Sequence, residues 1–267
     1  MNIRIMIAMA IAAIAPVAAA DTLSQALDTV GVYGEVATTP SSASVSDPYG
    51  SISANGDNTN GGVGITMTGV NQELWYTHLG ADYAFGAPIN GGSITGTLAS
   101  GGSATGTGSA HVSGHSMAFN ARIGKLFAIG EDAAVGPYLA YQYAQFKMGL
   151  DGYSANYSNN AVGGGVFGAL AISSRLSMTG HLGYLAGVSA SASAADYYGS
   201  YSAHNPPSSG VFQIGAKIDY RFDQDWGVFG GLDYDRYYAS YSYVPYALNA
   251  SATINDIRGI VGMAYHF

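Results

Sequence analysis

Residues 211–222 alternate with a period of two. Phe212, Ile214, Ala216, Ile218, Tyr220 and Phe222 hold the even positions; Val211, Gln213, Gly215, Lys217, Asp219 and Arg221 hold the odd ones. In a β-strand, a two-residue period sends the two sets to opposite faces. All three charges then share one face. The same split recurs at 75–85, 117–127, 176–184, 228–235 and 256–267. In the first of these, Trp75, Leu79, Ala81, Tyr83 and Phe85 alternate with Tyr76, His78, Gly80 and Asp82. Lys125 interrupts one apolar face, but near a strand end, where a long side chain can reach the interface.

An apolar face this consistent needs an apolar medium or a second sheet against it. Beyond residue 20 no apolar run reaches 18 residues, so no spanning helix is predicted. In lipid the remaining solution is a closed barrel, which satisfies every backbone group. The predicted fold is all-β, an antiparallel transmembrane up-and-down β-barrel. Composition agrees. Charged residues are 10% of the chain, against about 25% in ordinary soluble domains. Gly (38) and Tyr (21) are abundant. With no cysteine, disulfide and thiol chemistry are excluded. The net charge of −8 disfavours nucleic acid as a partner.

Residues 1–20 read as a cleaved signal peptide, with Arg4, an apolar stretch over 5–14, and Ala18, Ala19 and Ala20 before Asp21. Residues 21–28 are expected to form a short periplasmic segment, with Thr22 or Ser24 able to cap a helical turn. The barrel domain is 29–267. Ten strands are predicted, within a range of eight to twelve, near 29–38, 73–85, 92–99, 115–128, 134–148, 161–172, 175–187, 210–222, 226–238 and 251–267. The pattern is weakest at 92–99. Residues 62–68 either join a further pair or extend a hairpin above the membrane. Short connections are expected at 86–92, 130–134, 173–175 and 223–225. Long ones are expected at 39–71, 101–114, 150–160, 189–209 and 240–250. Short periplasmic turns and long extracellular loops are the barrel arrangement.

The chain closes on GIVGMAYHF, where Val261, Met263, Tyr265 and Phe267 alternate with small or polar residues. This resembles the C-terminal signature of bacterial outer-membrane β-barrel proteins, which commonly end in an aromatic residue. The resemblance implies an outer-membrane location, closure of the last strand on the first, and reading of this strand by the barrel-assembly machinery. It also implies outer-membrane lipid and lipopolysaccharide as partners.

The lumen face collects His78, Asp82, Arg122, His181, Lys217, Asp219, Arg221, Asp233, Asp235, Asp256 and Arg258. Five Asp against three Arg and one Lys is the near balance a filled interior needs, since buried charges must pair. A polar pore is the other reading. Asp233 and Asp235 lack the remaining ligands of a calcium loop, so no metal and no cofactor are expected. Ten strands with long loops also resemble the omptin proteases, which use an Asp pair facing an Asp–His pair at the barrel top. Residues 101–114 contain no acid. Asp196 and His204 do not form a close pair, and Asp82 is expected alone, in the periplasmic half of its strand. The omptin activity therefore does not carry over, and no enzyme is expected. His111, His115 and His204 read as solvated histidines rather than general bases.

The loops are nearly uncharged and rich in Tyr, Ser, Gly, Ala and Asn, as at 191–205 and 237–249. Binding loops favour this mixture. Tyr197, Tyr198, Tyr201, Tyr241, Tyr243 and Tyr246 are the candidate contacts for an extracellular ligand. The same composition also suits loops that extend the outer strands. The expected function is a surface-contact or structural barrel, adhesin- or receptor-like, with a largely plugged lumen. The alternatives are a narrow porin and an omptin-like or lipid A-modifying enzyme.

Overall fold

Every strand has two hydrogen-bonding edges, and in an apolar medium both must be paired. The computed structural model meets that demand with a single closed antiparallel sheet. It describes residues 27–267 except 72, 86–88, 99, 111–112, 130–131, 151–152, 197–198, 205–207 and 244–247. Residues 1–20, expected to be a signal peptide, and residues 21–26 of the following segment lie outside the described residues.

Ten strands form the wall. β1 is Thr29–Thr38 continued by Ser41–Asp47, and β2 is Gly50–Val70. β3 is Trp75–Phe85 continued by Ile89–Leu98. β4 is Ser103–Ala110 continued by Ser113–Lys125. β5 is Ala133–Leu150, whose start also pairs with Phe127–Ala128; β6 is Tyr153–Ser173 and β7 is Leu176–Asp196. β8 is Gly199–His204 continued by Ser208–Arg221, β9 is Trp226–Tyr243 and β10 is Leu248–His266. Each strand pairs with the next, and β10 closes on β1, with Val30 opposite Tyr265 and Val36 opposite Gly259. The two-part strands keep one direction. Thr38 lies opposite Ile257 and Ser41 opposite Ile254, a single unbroken register.

The count of ten agrees with the sequence reading, but the strand membership changes. Gly50–Val70 is a full wall strand, and Ile89–Leu98 is the upper half of the strand that begins at Trp75. The expected turn at 86–92 is therefore not periplasmic. The true turn is at 71–74, so Trp75–Phe85 runs upward and Asp82 sits high rather than low. The cause is chemical. The outward side chains of lower β2 are only Val63, Ile65 and Met67, set among Gly, Asn and Thr, and so carry little apolar signal.

The long extracellular connections are also mostly strand. β2, β6 and β7 run for 21 residues each, about twice the 9–11 that cross a bilayer. Tight turns join the strands at both ends of the wall. Asp47 Oδ1 accepts from the Tyr49 and Gly50 N–H groups, and Asp223 Oδ1 from those of Asp225 and Trp226. Such Asx turns let one side chain satisfy two orphaned donors.

The wall has two zones. In the lower one the outward face is apolar. Val261 is 73% exposed and Leu232 68%, whereas inward-facing Gln213 is 2% exposed. Trp75, Trp226, Tyr265 and Phe267 form the lower edge of this belt, and Tyr83, Tyr184, Phe212 and Tyr234 the upper edge. From Trp226 to Tyr234 is eight steps along β9. That is roughly 27 Å of strand, or about 20 Å of height at the usual barrel tilt, close to the apolar band of outer-membrane barrels. Lys125 leaves the belt at its lower edge: Nζ bonds the Glu73 carbonyl and stands 5.4 Å from the Trp75 ring.

Above the upper edge the polarity reverses. Across β9, β10, β1 and β2 the outward positions include Ser240, Ser251, Ser44 and Ser53, and Ala enters the inward face. Ala239, Ala252, Ala43 and Ala54 lie side by side across β9, β10, β1 and β2 on the inner face.

Candidate functional site

Inward-facing polar side chains from opposite walls meet in the lower zone. Arg258, on β10, is the hub. Its Nη1 donates to Asp82 Oδ1 at 2.8 Å and its Nη2 to Asp235 Oδ2 at 2.7 Å, and Nε lies 3.4 Å from Asp256 Oδ2. The register explains two of these partners: Asp235 faces Asp256 across the β9–β10 ladder, and Asp233 faces Arg258. Asp82 comes from β3, on the far side of β1 and β2.

Neutral groups extend the hub. Gln142 Nε2 donates to Asp235 Oδ2 at 3.2 Å and to the Tyr237 hydroxyl at 2.7 Å, while Gln213 Nε2 donates to Gln142 Oε1 at 3.0 Å. Phe146 packs edge-on to the Tyr237 ring at 5.2 Å. Charge-assisted bonds of this kind are short and directional, and burial makes a fully satisfied network rigid.

A second cluster lies beside the first. Arg122 Nη2 is 3.1 Å from His181 Nε2. Arginine has only donors, so Nε2 accepts and the ring carries its proton on Nδ1. The same Nε2 is 3.8 Å from Asp233 Oδ1. Gly215 permits this approach, because a Cβ there would stand 1.9 Å from Asp233 Oδ1 and 2.4 Å from His181 Cε1. His78 Nδ1 pairs with the Thr68 hydroxyl at 3.1 Å. Below, Lys217 is 3.9 Å from Asp219 and 5.1 Å from the Phe229 ring centre, and His266 Nε2 is 3.2 Å from Asp219. Stacked Tyr76 and Phe167, 4.1 Å apart, fill the space nearby.

Between the clusters is a cavity of ≈ 90 Å³, lined among others by Tyr33, His78, Arg122, His181, Lys217 and Asp233. It has room for a few waters.

Ten of the eleven lumen residues named from sequence lie in these clusters. Arg221 does not: its Nη2 bonds the Ser174 carbonyl at 2.9 Å, at an exposed turn. Glu35 takes a place inside instead. It is 5% exposed, and neither carboxyl oxygen has a hydrogen-bond partner. Among the described residues the interior balance becomes six acids (Glu35, Asp82, Asp219, Asp233, Asp235 and Asp256) against Arg122, Lys217 and Arg258. Gln142, Gln213, Tyr237 and His266 were also missed as site residues. Neutral amides carry no charge signal, and only their inward parity marks them. Among the described residues no group of three or more His, Asp or Glu converges closely enough to hold a metal ion.

Of the candidate loop tyrosines, Tyr197, Tyr198 and Tyr246 lie outside the described residues. Tyr201 is on a strand, opposite Ala194, and Tyr243 is opposite Leu248. Tyr241 shares the strand parity of buried Tyr237. At the C-terminus Val261, Met263, Tyr265 and Phe267 all face outward, and the Tyr265 and Trp226 rings meet edge-on at 5.4 Å.

Belt, closed sheet and filled lower lumen together define the fold of bacterial outer-membrane β-barrels. Among solved structures the chain is similar to the outer membrane protease OmpT from Escherichia coli, with a TM-score of 0.62 and 10% identity over 90% of this chain and 97% of that one. Matches to OprG from Pseudomonas aeruginosa (TM-score 0.39, 12% identity, 93% and 99% covered) and to Ail of Yersinia pestis (0.33, 11%, 90% and 99%) are weaker in shape. No family model matches the chain. No curated protein matches it either.

Proposed function

We propose that this chain is an integral outer-membrane barrel whose lumen is closed by a polar plug and whose contacts are made by its tall extracellular wall. The carrying observation is the Arg258 hub, which ties β3, β9 and β10 together across the lumen. Gln142, Gln213 and Tyr237 pack beside it at 2%, 2% and 1% exposure. The apolar belt, the C-terminal aromatic pattern and the barrel fold support the outer-membrane location. Phe267 and the alternating residues before it are the segment offered to the assembly machinery. That the hub carboxylates are bound to Arg258 and buried, not presented in an open cleft, supports a non-enzymatic reading. An extracellular ligand would meet the upper strands.

A narrow porin is the second reading. The water-sized cavity and the six-to-three excess of acids favour it, and such a pore would prefer cations.

Proteoliposome swelling separates the two. Vesicles carrying the refolded, floated barrel should swell no faster in small sugars or amino acids than empty vesicles. Swelling that depends on inserted protein would favour the porin.

A further inference from the structure

Three charges around the lower-lumen cavity do not bond one another. Arg122 forms no ion pair among the described residues. It donates to His181 at 3.1 Å, lies 5.6 Å from the Tyr138 ring centre, and leaves its Nε–H unbonded. Lys217 Nζ stands 3.9 Å from Asp219, beyond hydrogen-bond reach. Asp233 Oδ1 comes within 3.8 Å of His181 Nε2, which already accepts from Arg122. All three side chains line the cavity, where Lys217 and Asp233 keep 21% and 26% of their surface open. The other charges on its wall differ. Arg258 and Asp235 bond each other at 2.7 Å, and Asp219 lies 3.2 Å from His266.

An interior charge without a partner is costly, so these three call for an occupant that pairs with them. Two cations and one carboxylate share one small space. A simple anion there would meet Asp233, and a simple cation would meet Arg122 and Lys217. A zwitterion answers both signs. Its ammonium pairs with Asp233, and its carboxylate with Arg122 and Lys217, as charge-assisted hydrogen bonds. The volume of ≈ 90 Å³ suits the smallest amino acids and leaves no place for a bulky side chain. The Arg258 hub roofs the space. Leu27, 3% exposed, is the one lining residue outside the strands. It belongs to the short segment before β1, at the periplasmic end.

From this geometry we infer that the cavity is a binding site for small zwitterions of the glycine and alanine class, entered from the periplasmic side past Leu27. The inference goes beyond the plug reading and rests on it only for the roof that the hub provides.

The test uses the full refolded barrel, checked by flotation, and radiolabelled glycine as the probe in equilibrium dialysis. The wild type should bind glycine saturably. Acetate and ethylammonium, each carrying one of its two charges, should compete several-fold more weakly than unlabelled glycine, and phenylalanine should not compete. Asp233→Asn should weaken glycine several-fold while tightening acetate, a gain that a misfolded barrel would not show. Lys217→Met should weaken both. Leu27→Ala should shorten the time that glycine takes to equilibrate. No saturable glycine binding would leave the cavity to water and overturn the site, with the plug untouched. Acetate competing as well as glycine, or an Asp233→Asn barrel that binds glycine unchanged, would overturn the zwitterion class. An unchanged equilibration time in Leu27→Ala would overturn the route. Glycine binding together with protein-dependent vesicle swelling would uphold the site and overturn the plug instead.

Discussion

Arg258 Nη1 bonds Asp82 Oδ1 at 2.8 Å although their strands, β10 and β3, are separated in the wall by β1 and β2. Backbone pairing does not require this contact, so it reports how the lumen is filled. Removing one member of a buried charge network leaves its partners uncompensated, at a cost of about 3–5 kcal/mol. Arg258→Ala strands three carboxylates and is expected to lose stability on that scale in urea unfolding from lipid vesicles. Asp82→Ala should cost less, because Asp235 and Asp256 still hold the guanidinium. The double variant should be less damaged than the sum of the two.

Glu35 is the opposite case. Its carboxyl is buried without a hydrogen-bond partner, and an unsatisfied buried polar group costs on the order of 1–3 kcal/mol, more when charged. Glu35→Gln is expected to raise the unfolding midpoint. A lowered midpoint would show that the carboxylate has a stabilising role.

Tyr33 packs on Gly64 of the neighbouring strand, where a Cβ would come within 2.2 Å of the ring. Gly64→Ala should destabilise by about 1–3 kcal/mol through overpacking. Adding Tyr33→Leu should recover much of the loss, which a purely backbone effect would not.

Asp28 lies just outside the first strand, where its Oδ1 accepts the Val70 N–H at 2.6 Å. Burial pushes its pKa up from the usual 3.8 to about 6, with the Val70 hydrogen bond opposing. The folded state therefore binds this proton more tightly than the unfolded state. Its stabilising contribution is full below 3.8 and is lost as pH rises through about 6. Asp28→Asn can still accept the Val70 bond, and should flatten stability against pH across that window.

The lower zone was legible because two media, lipid outside and a polar lumen inside, write opposite chemistries on alternate residues. Residues 211–222 show this fully. The upper zone was not, because Ser, Thr and Ala differ too little in polarity for the period to stand out. That is why Ser41–Asp47 and Ser103–Ala110 read as loops. The wrong path through 39–99 has the same origin, since the glycine-rich lower β2 hides its three apolar side chains. Within the site, charged residues were found by parity. Glu35 could have been found in the same way, as the one charge in TVGVYGEVAT and on the side of Tyr33 and Ala37. The pairing of Arg258 with Asp82 could not, because it depends on the barrel's closure and stagger.

The most direct test of a closed lumen is planar-bilayer recording of the refolded barrel, with insertion confirmed by flotation. Bilayers holding inserted wild-type barrel are predicted to show no long-lived conductance steps. Stable, cation-selective steps from the wild type would contradict the plug and put solute through the lumen.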